Sequence, residues 1–155
     1  MSWLRTVAYL LSGDWHQADD LTQTTIIKLY GAWHRIADME NLDGYARTVM
    51  VNTFLAERRS PWRRVLLRSA GEEPVVQPDL DAILDLRQAL SVLPARQRAT
   101  VVLRYYCDLS VEQTADAMKC STGNVKSQTA RALDTLRHAL RSHRQPATSR
   151  EGVSR

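Results

Sequence analysis

The sequence predicts an all-α protein, two small helical domains joined by a flexible linker, the second carrying a helix-turn-helix. Three observations predict it. Apolar residues recur at steps of three and four along most of the chain, while the alternating pattern of strands is scarce. One stretch, SAGEEPVVQPD, interrupts that texture with two prolines, a glycine and no helical stripe. Towards the C-terminal end, a short helix with a capping sequence is followed at once by a longer basic one.

Ala18, Leu21, Thr25, Leu29, Trp33 and Ile36 fall on one helical face, with Asp19, Asp20 and Gln23 near the start, where carboxylates complement the positive end of the helix dipole. The polar break ADMENLDG ends this run. GYARTVMVNTFLAERR then reads as a helix with a basic end, stopped or redirected at Ser60-Pro61. The linker comes next. Ile83, Leu86, Leu90 and Leu93 mark a helix that stops near Pro94, and residues 97–106 form another, with Tyr105 and Tyr106 expected in the core. Ser110 can cap the helix VEQTADAMK, and Gln113 completes a capping box. Ser121 can cap the last helix, whose Val125, Ala132 and Leu136 can face the core. The domain boundaries are 1–66, a linker over 67–80, 81–143, and a polar, disordered tail over 144–155.

Composition bounds the function. With 44% hydrophobic and 25% charged residues the chain has an ordinary globular balance, and no apolar run reaches the roughly 20 residues of a membrane span. It lacks a signal-peptide pattern, so a cytoplasmic location is expected, and the two cysteines, Cys107 and Cys120, are read as reduced thiols rather than a disulfide. The net charge of +4 is unevenly placed: residues 1–43 hold 3 basic and 6 acidic side chains, residues 44–69 hold 6 and 1. An acidic face followed by a basic one suggests two different partners.

The last two helices carry the sharpest signal. In a helix-turn-helix the first helix braces on the backbone and the second enters the major groove with residues near its N-terminal end. Asn124, Lys126, Ser127, Ala130 and Arg131 lie on or beside the exposed side of the last helix, where Lys and Arg can donate to guanine or phosphate. A plain helical hairpin with a solvated basic face would share this pattern. An enzyme is a weaker reading: His16, Asp14, Asp19 and Asp20 in GDWHQADD cluster, but acidic residues at a helix start explain them, and neither a glycine-rich phosphate loop nor a nucleophile motif is present. A self-sufficient helix-turn-helix repressor and a protein-binding adaptor remain as rivals. Trp3, Trp15, Trp33 and Trp62 read as core or rim aromatics, with base stacking open to Trp62 among its arginines.

Taken together, the two halves resemble bacterial RNA polymerase sigma factors of the extracytoplasmic-function (ECF) type, of actinobacterial flavour, from about Leu4 to His143. DLTQTTIIKLY looks like the family's helix for the clamp coiled coil of the polymerase largest subunit. Asp20, Leu21, Gln23, Ile26, Ile27, Lys28 and Tyr30 fit, and Thr24 stands where an acidic residue is frequent. YARTVMVNTFLAERR resembles the segment that melts the promoter and captures a base of the minus-ten element. The resemblance assigns Asn52 to that base and Arg47, Arg58, Arg59, Arg63 and Arg64 to phosphates. LPARQRATVVLRYYCDLSVEQTADAMKCSTGNVKSQTARAL looks like the domain that reads the minus-thirty-five element, with Lys126, Ser127, Ala130 and Arg131 at recognition positions. It implies core RNA polymerase (clamp and flap) and promoter DNA as partners, an anti-sigma factor as a further one, no cofactor, no metal and no catalysis. Family members usually carry another helix before LRTVAYLLSGDWHQADD, so a chain starting at Ser2-Trp3 is expected to have a weaker first core.

Overall fold

The computed structural model describes residues 2–59 and 80–144, and among them every regular element is helical. The order is α1 (Ser2–Ser12), α2 (Trp15–Gly31), the single turn α3 (Trp33–Ile36), α4 (Leu42–Arg59), α5 (Leu80–Leu90), α6 (Ala95–Val101) running into a π-helical turn (Val102–Tyr106), α7 (Val111–Met118) and α8 (Thr122–Arg144). Residues 67–79 of the expected linker, residues 145–155 of the expected tail, and Trp62, Arg63 and Arg64 lie outside the described residues, while Leu80 and Arg144, expected in the linker and the tail, are instead the outermost residues of α5 and α8.

Helix α1 is the most deeply placed element, with Leu4 and residues 6–11 all buried. It packs on α2 and α4 of the first half and on α5 and α6 of the second. At the turn into α2, Gly13 adopts φ 80, a conformation that suits glycine. Asp14 then caps α2, its carboxylate accepting from the His16 backbone N–H at 2.7 Å. Trp15 stacks on Tyr9 with ring centroids 3.9 Å apart, and Arg5 lies over Trp15 while pairing with Asp19 at 2.6 Å. The acidic run of GDWHQADD therefore serves local structure.

The helical stripe of α2 buries Ala18, Leu21, Thr25 and Leu29, as its spacing predicts, and Ile36 of α3 is buried too. Trp33 is an exception. The helix ends at Gly31 and α3 starts a new turn, so the phase of the stripe is lost and the indole is exposed. Tyr105 and Tyr106 are also exposed rather than in the core. In the π-helical turn Cys107 N–H bonds the Val102 carbonyl, five residues back. One extra residue in the turn rotates the downstream chain and carries both tyrosines outward.

The second half does not stand apart from the first. Leu90, Leu93, Val102, Leu103 and Met118 join one apolar cluster with Leu4, Leu10, Leu11, Met50 and Val51. Each such fully buried side chain contributes about 1.5–3 kcal/mol. Helix α7 starts on a complete capping box: the Gln113 N–H donates to Ser110 Oγ at 3.0 Å, and the Ser110 N–H to Gln113 Oε1 at 2.9 Å. Ser110→Ala is expected to cost about 1 kcal/mol, read as a lower urea midpoint with an unchanged slope. The helix ends at Lys119 in the left-handed region (φ 53), a conformation usually given to glycine, which turns the chain sharply into α8.

Candidate nucleic-acid interface

Helix α8 is presented by this turn. Ser121 Oγ accepts from the Asn124 N–H at 3.1 Å. Val125 and Ala132 are fully buried against the second half, which fixes the roll of the helix. The opposite side then carries Asn124, Lys126, Ser127, Ala130 and Arg131, all five exposed. These residues share the first three turns, within reach of a major groove if the helix end enters it. Lys and Arg supply donors for guanine or phosphate, Ala130 a methyl surface for thymine, and the helix N-terminus a positive dipole end.

The α4 residues are placed differently. Arg47 lies 5.0 Å over the Trp3 ring. Arg58 lies 5.2 Å from the Phe54 ring and donates to the Ser12 carbonyl at 3.3 Å, so its guanidinium is turned into the protein rather than towards solvent. Arg59 is exposed, and Arg63 lies outside the described residues. Asn52 is half-buried. Its Nδ2 donates to the Thr48 carbonyl at 2.9 Å and to the Ala117 carbonyl of α7 at 3.1 Å. It lines a cleft of about 750 Å³ between the halves, whose walls carry Lys28, Arg59, Arg96 and Lys119 above Val49 and Met118. Lys28 Nζ donates to Thr53 Oγ1 at 2.9 Å within this cleft. A cationic cleft lined by an amide suits a base and its phosphate, and Met118 of α7 is part of the same lining.

A third surface lies on α2. Asp20, Gln23 and Ile27 are exposed on one outer face, Ile27 to 65%. Leu21 differs: at 2% exposure it belongs to the core and supports the face from behind. Tyr30 is 82% exposed, and Ile26 and Trp33 are exposed beside it. An apolar and aromatic patch of this kind has the chemistry of a protein-facing surface. Trp33 is not legible from sequence as part of it, because its spacing from Leu29 matches the buried stripe.

Other titratable groups do not build a separate site. Among the described residues no three His, Cys, Asp or Glu side chains gather to hold a metal ion. Cys107 and Cys120 are both free thiols, half-buried, and burial raises the Cys107 thiol pKa against the opposing pull of Arg47. No described helix is long and apolar enough to cross a membrane.

Comparison with known proteins divides along the same two halves. The family model for Sigma-70 region 2 matches residues 1–64, and that for Sigma-70, region 4 matches residues 83–136. An RNA polymerase sigma-E factor of Streptomyces avermitilis is 39% identical over 132 residues, covering 81% of this chain and 72% of that protein. The ECF RNA polymerase sigma factor SigE of Mycolicibacterium smegmatis is 31% identical over 150 residues, covering 88% of this chain and 57% of its own length. Among solved structures, the sigma factor RpoE of Bartonella quintana in complex with the anti-sigma factor NepR matches with a TM-score of 0.71 at 28% identity, over 92% of each chain. With both regions matched in order and these relatives aligned along most of its length, the chain belongs to the sigma-70 family of RNA polymerase sigma factors, in its ECF branch.

Proposed function

We propose that the protein is a promoter-specificity subunit that directs core RNA polymerase to particular promoters and performs no covalent chemistry itself. It acts with polymerase in the cytoplasm. Residues 1–66 dock on the clamp through Asp20, Gln23 and Ile27, with Leu21 holding that face in place. The same domain opens the minus-ten element, Asn52 meeting an extracted base and Arg47, Arg58, Arg59 and Arg63 the backbone. Residues 81–143 read the minus-thirty-five element through Asn124, Lys126, Ser127, Ala130 and Arg131. An anti-sigma factor is a further partner, and the Bartonella relative is in complex with one, NepR.

The observation that carries this reading is the coexistence of two exposed surfaces of different chemistry on one small chain. The α2 face is apolar and aromatic, suited to protein. The α8 face is cationic and capped, suited to DNA. A self-sufficient repressor has no use for the first. Neither domain needs high affinity alone, because tethering on polymerase supplies effective concentration.

Permanganate footprinting tests the opening step. Thymines of the minus-ten element are expected to become reactive only when core polymerase and the protein are both present. Asn52→Ala is expected to lower that reactivity by about tenfold or more, since extraction of a base costs a few kcal/mol that its pocket must offset. Equal reactivity with the protein omitted would overturn the reading.

A further inference from the structure

The cleft of about 750 Å³ has the size of a small-molecule site, which commonly spans roughly 300–1,000 Å³. Its charge is one-sided. Lys28 of α2, Arg59 at the end of α4, Arg96 of α6 and Lys119 after α7 all line it, and the lining includes no carboxylate. Nor does any of the four pair with a carboxylate elsewhere among the described residues. A cleft walled by one sign of charge focuses the field and concentrates counter-ions. Cations gathered in this way repel one another, and a bound anion offsets that cost.

Two of the four cations belong to the second half. Arg96 and Lys119 stand outside the α8 face, and neither promoter element accounts for them. Arg96 is half-buried, and Lys119 holds the left-handed turn between α7 and α8. Lys28 is fixed from the other side, its Nζ donating to Thr53 Oγ1 at 2.9 Å.

The remaining walls have a different chemistry. Tyr45, Val49 and Asn52 recur at i, i+4 and i+7 of α4, so they share one helix face, and Met118 lines the cleft with them. Val49 and Met118 offer apolar surface to a flat ring. Asn52 adds direction. Its Nδ2 donates to the Thr48 carbonyl and to the Ala117 carbonyl, which uses both hydrogens of the amide. Oδ1 remains, an acceptor for an N–H on the edge of a base. Cations for phosphate, apolar surface for a ring and one placed acceptor are the parts of a nucleotide site.

We propose that this cleft binds a free nucleoside polyphosphate, its phosphates among Lys28, Arg59, Arg96 and Lys119 and its base against Val49 and Met118. The ligand touches both halves, so it stabilises their packing by mass action. It also occupies Asn52 and therefore competes with the minus-ten strand. That consequence alone rests on the reading of Asn52 as the residue that meets the minus-ten base.

Isothermal titration calorimetry on the full chain at about 0.15 M salt tests the site, with ATP, GTP, inorganic triphosphate and adenosine as separate probes. ATP or GTP is expected to bind about tenfold or more tightly than triphosphate, because the base adds its own contacts, and adenosine is expected to fall below detection. Arg96→Gln and Lys119→Asn should each weaken nucleotide binding by about 10- to 100-fold, the loss of one charged hydrogen bond. Asparagine suits the left-handed turn at position 119, so this variant keeps the fold. Arg141→Gln removes the same charge from an exposed position of α8 and should leave binding unchanged. In fluorescence anisotropy the nucleotide should displace a labelled non-template minus-ten strand. Absence of binding by both nucleotides overturns the proposal. So does triphosphate that binds as tightly as ATP, or an equal loss in Arg141→Gln, either of which marks a diffuse cationic surface. The wild-type probe series decides the matter even if a variant fails to fold. Normal core-dependent initiation without nucleotide binding sinks the site alone. Nucleotide binding by a protein that does not initiate with core polymerase sinks the parent reading and leaves the site.

Discussion

Ile27→Asp is expected to weaken binding to core polymerase by about 100-fold or more while leaving the fold intact. The side chain is 65% exposed, so its replacement removes little from the core, and unfolding should stay within about 0.5 kcal/mol of wild type. Its neighbours Tyr30, Ile26 and Trp33 are exposed with it, and apolar side chains at the centre of such a patch dominate binding energy. The substitution also places a carboxylate where a partner expects apolar surface, which costs desolvation without a counter-ion. Leu21→Ala provides the contrast. That side chain is 2% exposed, so its truncation should cost about 2–5 kcal/mol of stability and impair binding only through the fold. Surface plasmon resonance on immobilised core polymerase, with urea melts in parallel, separates the two. Ile27→Asp that binds normally would move the docking site elsewhere.

Removing two cations from the recognition helix is expected to have the second large effect. In the double variant Lys126→Ala/Arg131→Ala, the preference for an intact over a scrambled minus-thirty-five element should fall by about 100-fold, since each good contact to a base pair edge is worth about 1–3 kcal/mol. Both side chains are exposed and neither forms the buried face set by Val125 and Ala132, so the melt should not change. If either residue contacts phosphate instead, the loss will be uniform across sequences and the salt dependence will flatten. The measurement is run-off transcription at several salt concentrations on paired templates. Unchanged preference would exclude the α8 face as the reader.

The two interfaces are legible in the sequence to different degrees. Regular features are clear: the stripe Ala18, Leu21, Thr25, Leu29, the capping box at Ser110 and Gln113, and the Ser121 cap all depend on local spacing. Spacing misleads where it changes phase. Trp33 comes after a break at Gly31, and Tyr105 and Tyr106 sit in a π-helical turn, a widening with no simple sequence signature. The contacts between the halves are not legible at all. Arg58, Arg87 and Arg98 bind backbone carbonyls, which any sequence supplies, so composition suggests only solvated or phosphate-binding cations. For the same reason Asn52 points to DNA alone when read from sequence, while its amide also meets the Ala117 carbonyl. Helix α1 is a further case: its residues 6–11 are buried by α5 and α6 of the second half as well as by α2 and α4, contacts that no local spacing announces.

Whether this chain confers promoter choice on polymerase is decided by run-off transcription: purified protein is added to sigma-free core polymerase on a template library with varied upstream sequence, and the starts are sequenced. Discrete starts that require the protein and share two upstream elements, about 25 base pairs apart, are the predicted result. Core-independent binding to duplex DNA, with no protein-dependent starts, would contradict it and leave a self-sufficient helix-turn-helix regulator.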